Sequence, residues 1–268
     1  MDGYEVYAIR YAHHERRAAE NFLGGDPHDA SMPLDYFVWA IKGGGKTVIV
    51  DTGFGAEQAK LRKRELLRSP AEGLAAIGID PATVEDVIIT HMHYDHAGGL
   101  DLFPNAIFHI QDREMGFCTG RPMCHHAFSH SLAVDDVIGM VRRLFAGRVR
   151  FHDGDEELSP GLSLHFIGGH TMGLQSVRVV TRRGAVVLAS DAAHLYAHLD
   201  QGRAYPVVYN VAEMLDGHRK LLRLAASPRH IVPGHDPLVA KYYPAARAGV
   251  EGVVLRLDVE PQLQEAGR

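Results

Sequence analysis

Residues Thr90 to Leu100 read THMHYDHAGGL, so three histidines and an aspartate fall within six residues and two glycines follow. The run just upstream, TVEDVIIT, is apolar, β-branched and of strand length, which places the histidines in the loop at a strand's end. Loops at strand ends are where layered α/β folds gather their binding groups. His91 and His93, two apart on an extended or loop backbone, can aim both imidazoles at one point. Asp95 and His96 add a hard carboxylate and a third imidazole, a set that suits Zn, Mn or Fe. Gly98 and Gly99 permit tight backbone geometry beneath such a site.

Three later places repeat the pattern of a strand that ends in a potential ligand. Leu162 to Ile167 runs into Gly168-Gly169-His170-Thr171, Ala185 to Ser190 runs into Asp191, and His230 to Val232 runs into Pro233-Gly234-His235-Asp236. Each alone is weak, because a lone histidine is more often a hydrogen-bonded structural residue than a ligand. Together they add two histidines and a carboxylate, enough for two metals.

The bulk properties exclude several classes. With 268 residues, 46% apolar and 23% charged, the chain can bury a sizeable core, and one domain is expected. A net charge of -5 leaves no electrostatic footprint for nucleic acid or an anionic membrane. No segment has the apolar length to span a bilayer, and the amino-terminal MDGYEVYAIRYAHHERR lacks the apolar core of a signal peptide. Cys118 and Cys124 are expected to be unpaired thiols, which fits a cytoplasmic protein.

Strands are expected at Tyr4 to Tyr11, Asp35 to Lys42, Thr47 to Asp51, Val84 to Thr90, Ala106 to Ile110, Leu162 to Ile167, Leu174 to Thr181 and Ala185 to Ser190. Lys42-Gly-Gly-Gly-Lys46 and Arg182-Arg-Gly184 read as hairpin turns. Helical spacing appears at Glu57 to Arg68, Val134 to Phe145 and Val211 to Ala226, the last with Val211, Met214, Leu215, Leu222 and Ala225 on its expected buried face. The mixture implies sheets covered by helices. Arg121 to Ser131 is irregular and carries three histidines, and reads either as a flap near a pocket or as a solvated loop.

With these residues in view, the chain resembles the metallo-β-lactamase superfamily, whose signature T-H-x-H-x-D-H precedes a distant histidine, aspartate and histidine. The resemblance runs from Thr47-Val-Ile-Val-Asp51-Thr52-Gly53 to Pro233-Gly234-His235. It implies an α/β fold, a four-layer αββα sandwich over residues 1–268, with the metals at one edge between the sheets. It further implies that His91, His93 and His170 hold one divalent ion, that Asp95, His96 and His235 hold the other, and that Asp191 bridges them. Zn is the expected metal, with Mn, Fe or Co as alternatives. Asp51 is expected beneath the ligands, in a supporting role. His109, His152, His165, His198, His218 and His230 are expected to be structural or exposed.

Two divalent ions about 3.5 to 4 Å apart lower the pKa of a shared water and polarise the carbonyl it attacks, so hydrolysis is the expected chemistry. Asp95 would orient the water and carry its proton to the leaving oxygen. Class B β-lactamases lack an aspartate bridge, and glyoxalase II enzymes add a helical domain beyond the last histidine, where only a short tail follows His235. The H-M-H-Y-D-H-A-G-G motif and the S-D-A at Asp191 resemble the lactonase branch, which includes N-acyl homoserine lactonases and often forms homodimers. That branch usually places a substrate-contacting tyrosine three residues after the bridging aspartate. Here the position is His194, with Tyr196 two further on, so His194 takes the role, Tyr196 reaches in, or the substrate differs. Arg10, Arg16 and Arg17 either form a solvated basic turn or pair with a substrate carboxylate, as in a carboxylated lactone of aromatic-ring catabolism. A long acyl chain would instead need an apolar groove, for which Phe22, Leu23, Met32, Phe128 and Tyr209 are the candidates. A small lactone is the expected substrate. An iron-dependent dioxygenase and a metal-binding module without turnover are the alternatives to a lactonase.

Overall fold

From Leu34 to Ile41 every residue is buried, which requires a strand covered on both faces. Its side chains divide with period two: Phe37, Trp39 and Ile41 enter one core cluster, while Tyr36, Val38 and Ala40 enter another. In the computed structural model, which describes residues 3–262, the same division runs through both sheets.

The strands are β1 (Glu5–His14), β2 (Leu34–Gly43), β3 (Lys46–Val50), β4 (Glu65–Leu66), β5 (Asp86–Ile88), β6 (Ile107–Gln111), β7 (Val149–His152), β8 (Glu156–Ser159), β9 (Leu162–Phe166), β10 (Gln175–Thr181), β11 (Gly184–Ser190), β12 (Ile231–Pro233) and β13 (Val254–Arg256). The first sheet has the order β13-β1-β2-β3-β5-β6-β7 with β4 beside β1, and the second has the order β12-β11-β10-β9-β8. Trp39, Val50 and Ile88 of the first sheet meet Leu164, Val177 and Leu188 of the second in the central core. A second core, including Ile9, Leu74, Phe108 and Met140, lies between the first sheet and its helices. Ile167, Val187, Ala189 and Leu221 form a third between the second sheet and helix Val211–Leu224. Two sheets face each other with helices outside both, the α/β sandwich expected.

All eight expected strands are present within a few residues, both hairpins form, and helix Val134–Phe145 has the expected bounds. Three differences have physical causes. The helix expected over Glu57 to Arg68 is Ala56–Arg62, ended by Lys63 in the left-handed region (φ 55°), and Glu65–Leu66 instead pairs with β1. In helix Val211–Leu224 the buried stripe is Met214, Gly217, His218 and Leu221, whereas Val211 and Leu222 are exposed. Gly217 lies there because a Cβ would come within 2.5 Å of Ile167, so the sheet is met by a glycine and not by a leucine. Strands β7 and β8 lie at the margins of the two sheets and carry charged residues, Arg150 in one and Glu156 and Glu157 in the other, which hid them from an apolar pattern. Cys118 is buried, Cys124 is exposed, and both are free thiols. Among the described residues, no helix is long and apolar enough to cross a membrane.

Candidate metal centre

The two sheets deliver their loop residues to one edge of the sandwich. Beyond β5, in the first sheet, the chain carries His91, His93, Asp95 and His96; the second sheet supplies His170 after β9, Asp191 after β11 and His235 after β12. Ligand atoms of His91, His93 and His170 lie within 4.8 Å of one another, and so do those of Asp95, His96 and His235. Asp191 groups with His91 and His96 on one side and with His170 and His194 on the other. All eight side chains are buried.

His96, His170 and His235 each turn one nitrogen inward because a partner behind takes the other. His96 Nδ1 donates to Asp51 Oδ2 at 2.7 Å, His170 Nδ1 to the Val207 carbonyl at 2.7 Å, and His235 Nδ1 to the Asp35 carbonyl at 3.0 Å. Asp51, in the left-handed region (φ 63°), also accepts from the Thr90 amide at 2.7 Å and its hydroxyl at 2.8 Å. The supporting position expected for Asp51 is therefore the one it occupies. Gly99 is required by close approach, since a Cβ there would sit 2.3 Å from the Thr52 carbonyl.

The inward atoms fit metal ions. His170 Nε2 is 2.9 Å from His93 Nδ1 and 3.1 Å from His91 Nε2. With Nδ1 donating to Val207, its Nε2 presents a lone pair that cannot serve both neighbours, whereas a divalent ion accepts all three nitrogens. His96 Nε2 and Asp191 Oδ1 are buried 3.2 Å apart without the geometry of a hydrogen bond to each other or to any other described residue, a cost that coordination removes. Burial, reinforced by the neighbouring imidazoles, pushes His91 and His93 well below the ordinary histidine value, so both are neutral donors. Burial opposes a charge on Asp191, but His235, His96 and His194 outweigh it and hold its carboxyl well below the usual range. Burial also opposes a charge on His96 and His235, yet Asp191 above all raises both. A divalent ion bound there displaces those protons.

Over this floor opens a cavity of about 110 Å³. His93, Asp95, His170, Asp191, His194 and His235 form its base, and Arg16, Leu34, Tyr36, Arg62, Arg64, Tyr94, His130, Ser131 and Val207 its walls. His194 Nε2 lies 2.8 Å from Asp191 Oδ2. Tyr196 is not brought here: its amide donates to Asp236 at 2.8 Å and its ring lines a separate depression with Tyr242 and Tyr243. Of the three arginines considered, only Arg16 reaches the cavity, because Arg10 pairs with Asp35 at 2.6 Å and Arg17 with Asp29 at 2.5 Å. None of Phe22, Leu23, Met32, Phe128 and Tyr209 lines it; Phe128 and Tyr209 pack on each other at 5.5 Å. The segment Arg121 to Ser131 contributes only its end, His130 and Ser131. His109, His152, His165, His198, His218 and His230 lie outside the cavity, His198 for example bonded to the Asn21 carbonyl at 2.9 Å.

Two residues had no sequence signal. Glu114, buried on helix Asp112–Cys118, accepts from the Met92 amide at 2.8 Å, the Thr171 hydroxyl at 2.6 Å and the Gly173 amide at 3.0 Å, so it clasps the loops of His91 and His170. Tyr205 stacks on His194 with ring centroids 3.6 Å apart and donates to the Asp191 carbonyl. Neither lies in a motif.

The chain belongs to the metallo-beta-lactamase superfamily, whose model matches residues 32–235. The N-acyl homoserine lactonase AttM of Azorhizobium caulinodans is 30% identical over 173 residues, covering 60% of this chain and 62% of that protein's own length. An N-acyl homoserine lactonase of a Bacillus species is 29% identical over 124 residues, 45% of this chain and 43% of that one. Among solved structures, a quorum-quenching N-acyl homoserine lactone lactonase superposes with a TM-score of 0.72 at 20% identity, covering 88% of this chain and 93% of that one. A probable metal-dependent hydrolase from Staphylococcus aureus gives 0.74 at 16% identity, covering 100% and 99%. The dizinc lactonase AidC gives 0.68 at 16%, covering 88% of each. At these identities the structural likeness establishes the fold.

Proposed function

We propose that this chain is a dinuclear metal-dependent hydrolase, with zinc as the first metal to test, that opens a small lactone to its hydroxy acid. The observation that carries this reading is Asp191, standing between two ligand sets on the floor of a single cavity. In this reading His91, His93 and His170 hold one ion, Asp95, His96 and His235 the other, and Asp191 bridges. When bound, the pair supplies an activated water and a Lewis acid for the ester carbonyl. Asp95 takes the water's proton at its carboxylate and returns it to the ring oxygen as the C–O bond breaks. His194 steadies Asp191 through Nε2 and stands where the lactonase resemblance expects a tyrosine, beside the substrate carbonyl. Tyr196 has no part in this chemistry.

The second reading, an N-acyl homoserine lactonase, rests on what the Azorhizobium and Bacillus relatives are named for. Proton release from a panel of lactones, with protein of known metal content, tests both. Hydrolysis that disappears on chelation and returns with zinc, manganese or cobalt is expected. A fully active metal-free protein overturns the proposal, and oxygen uptake with bound iron in place of hydrolysis replaces it.

A further inference from the structure

Three guanidinium groups stand on the cavity wall, and among the described residues none has a carboxylate within 4 Å. Arg16 follows β1, Arg62 closes helix Ala56–Arg62, and Arg64 follows the left-handed turn at Lys63, which sets Arg62 and Arg64 on the same wall. Their hydrogen bonds all go to neutral groups. Arg16 donates to the Glu20 carbonyl at 2.7 Å; Arg62 donates to the Gln58 side chain at 2.9 Å and to the His130 and Leu132 carbonyls at 2.7 and 3.0 Å. Arg64 meets the Tyr94 hydroxyl at 3.2 Å, the His14 imidazole at 3.0 Å and the Arg62 carbonyl at 2.6 Å. The Glu20 carboxylate accepts from the Arg17 amide at 2.8 Å and reaches Arg16 through its charge alone, without a bond. Outside the cavity, by contrast, Arg10, Arg17 and Arg203 each pair with an aspartate.

Gathering three cations on one small cavity is unfavourable, through mutual repulsion and through lost hydration. Arg16 shows the cost, for its Nε is buried without a hydrogen-bond partner and burial lowers its pKa. The floor offsets it only in part: Asp95 favours the charge on Arg64, but Asp191 is engaged by His194, His96 and His235, and each metal ion would add positive charge. An anionic ligand relieves all of these terms, and a carboxylate matches the planar fork of a guanidinium. Besides the rings of Tyr36 and Tyr94, the walls offer only Leu34 and Val207 to an apolar chain.

We propose that the substrate carries a carboxylate that docks on Arg16, Arg62 and Arg64 while its ester lies over the floor. Resting on the lactone-hydrolase reading above, this makes the substrate class a lactone carboxylic acid in preference to a lactone with an uncharged acyl chain. The three arginines then determine specificity, and the metal floor is left to the reaction.

Two measurements on metal-loaded protein test this. The first is kcat/KM for γ-butyrolactone-γ-carboxylate against its neutral methyl amide, in wild type and in Arg16→Gln and Arg64→Gln. The wild type should favour the carboxylate, and each variant should reduce that preference on the order of 10- to 100-fold, the worth of a charge-assisted hydrogen bond, while Arg16→Lys restores part of it. Equal rates on the two substrates, or equal losses on both in the variants, overturn the proposal and leave the lactonase reading intact. The second is calorimetric binding of glutarate against butyrate, which needs no turnover. A gain from the second carboxylate that Arg16→Gln removes sustains the anion site even if no lactone is hydrolysed, in which case only the lactonase reading fails. No gain from the second carboxylate overturns the site.

Discussion

On the cavity floor His96, His170 and His235 are tied from behind and Asp191 lies among imidazoles; on the wall above, the hydrogen bonds of Arg16, Arg62 and Arg64 go only to neutral groups. The floor is built from residues within the span matched by the superfamily model. The wall is electrostatically incomplete. A floor whose partners are all internal can serve many substrates, whereas a wall whose arginines form no ion pair among the described residues selects one kind, so in our proposal chemistry and specificity reside in different layers of one cavity.

The contrast can be broken from the floor first. Removing the metals should abolish hydrolysis, as measured by proton release. Asp51→Asn keeps the side chain's volume but gives up the carboxylate that accepts from His96 Nδ1, and should weaken metal binding about 10- to 100-fold, read by chelator competition. A wild-type metal affinity in this variant would mean that His96 is oriented by packing alone. Glu114→Gln puts an amide donor where the Thr171 hydroxyl and Gly173 amide both donate, and should cost about 1–3 kcal/mol in thermal or urea unfolding.

The smallest expected effect lies beside the wall. Burial first, then the neighbouring Asp135, pushes the Asp136 carboxyl up to about 7, with the charge of Arg62 pulling the other way. The folded state therefore keeps a proton that the unfolded chain gives up near pH 4. Between about pH 4 and 7 the folded protein binds more protons than the unfolded, so stability falls as pH rises through that window. Asp136→Asn removes the penalty and should raise the melting temperature by a few degrees at pH 8 with little change at pH 4. An equal shift at both pH values would assign the effect to packing.

The floor was legible in the sequence because its residues come in a short motif and at strand ends. Thr90 to Gly99 placed four candidates at once, and the sheet strands showed their apolar runs. The wall was not. Arg62 and Arg64 were read as part of one helix from Glu57 to Arg68, and the left-handed Lys63 that separates them has no glycine to announce it. Tyr196 and His194 were equally available on the sequence; which one faces the cavity depends on the helix Tyr196–Gln201 that begins between them. Glu114 and Tyr205 act through contacts made across long sequence separations, which no local pattern records.

The origin of the ligands in the two sheets has a mechanical consequence. His91, His93, Asp95 and His96 hang from one half of the sandwich, His170, Asp191 and His235 from the other, and the halves are otherwise joined by the apolar central core and a few hydrogen bonds such as Thr90 to Ser190 and Gln111 to Gln175. An ion seated between Asp191 and either set rivets the halves together, so occupancy and resistance to unfolding rise in step, by RT ln(1 + [M]/Kd) for each site. A melting curve recorded against free zinc is thus a titration of the centre, and the slope of that curve counts the rivets.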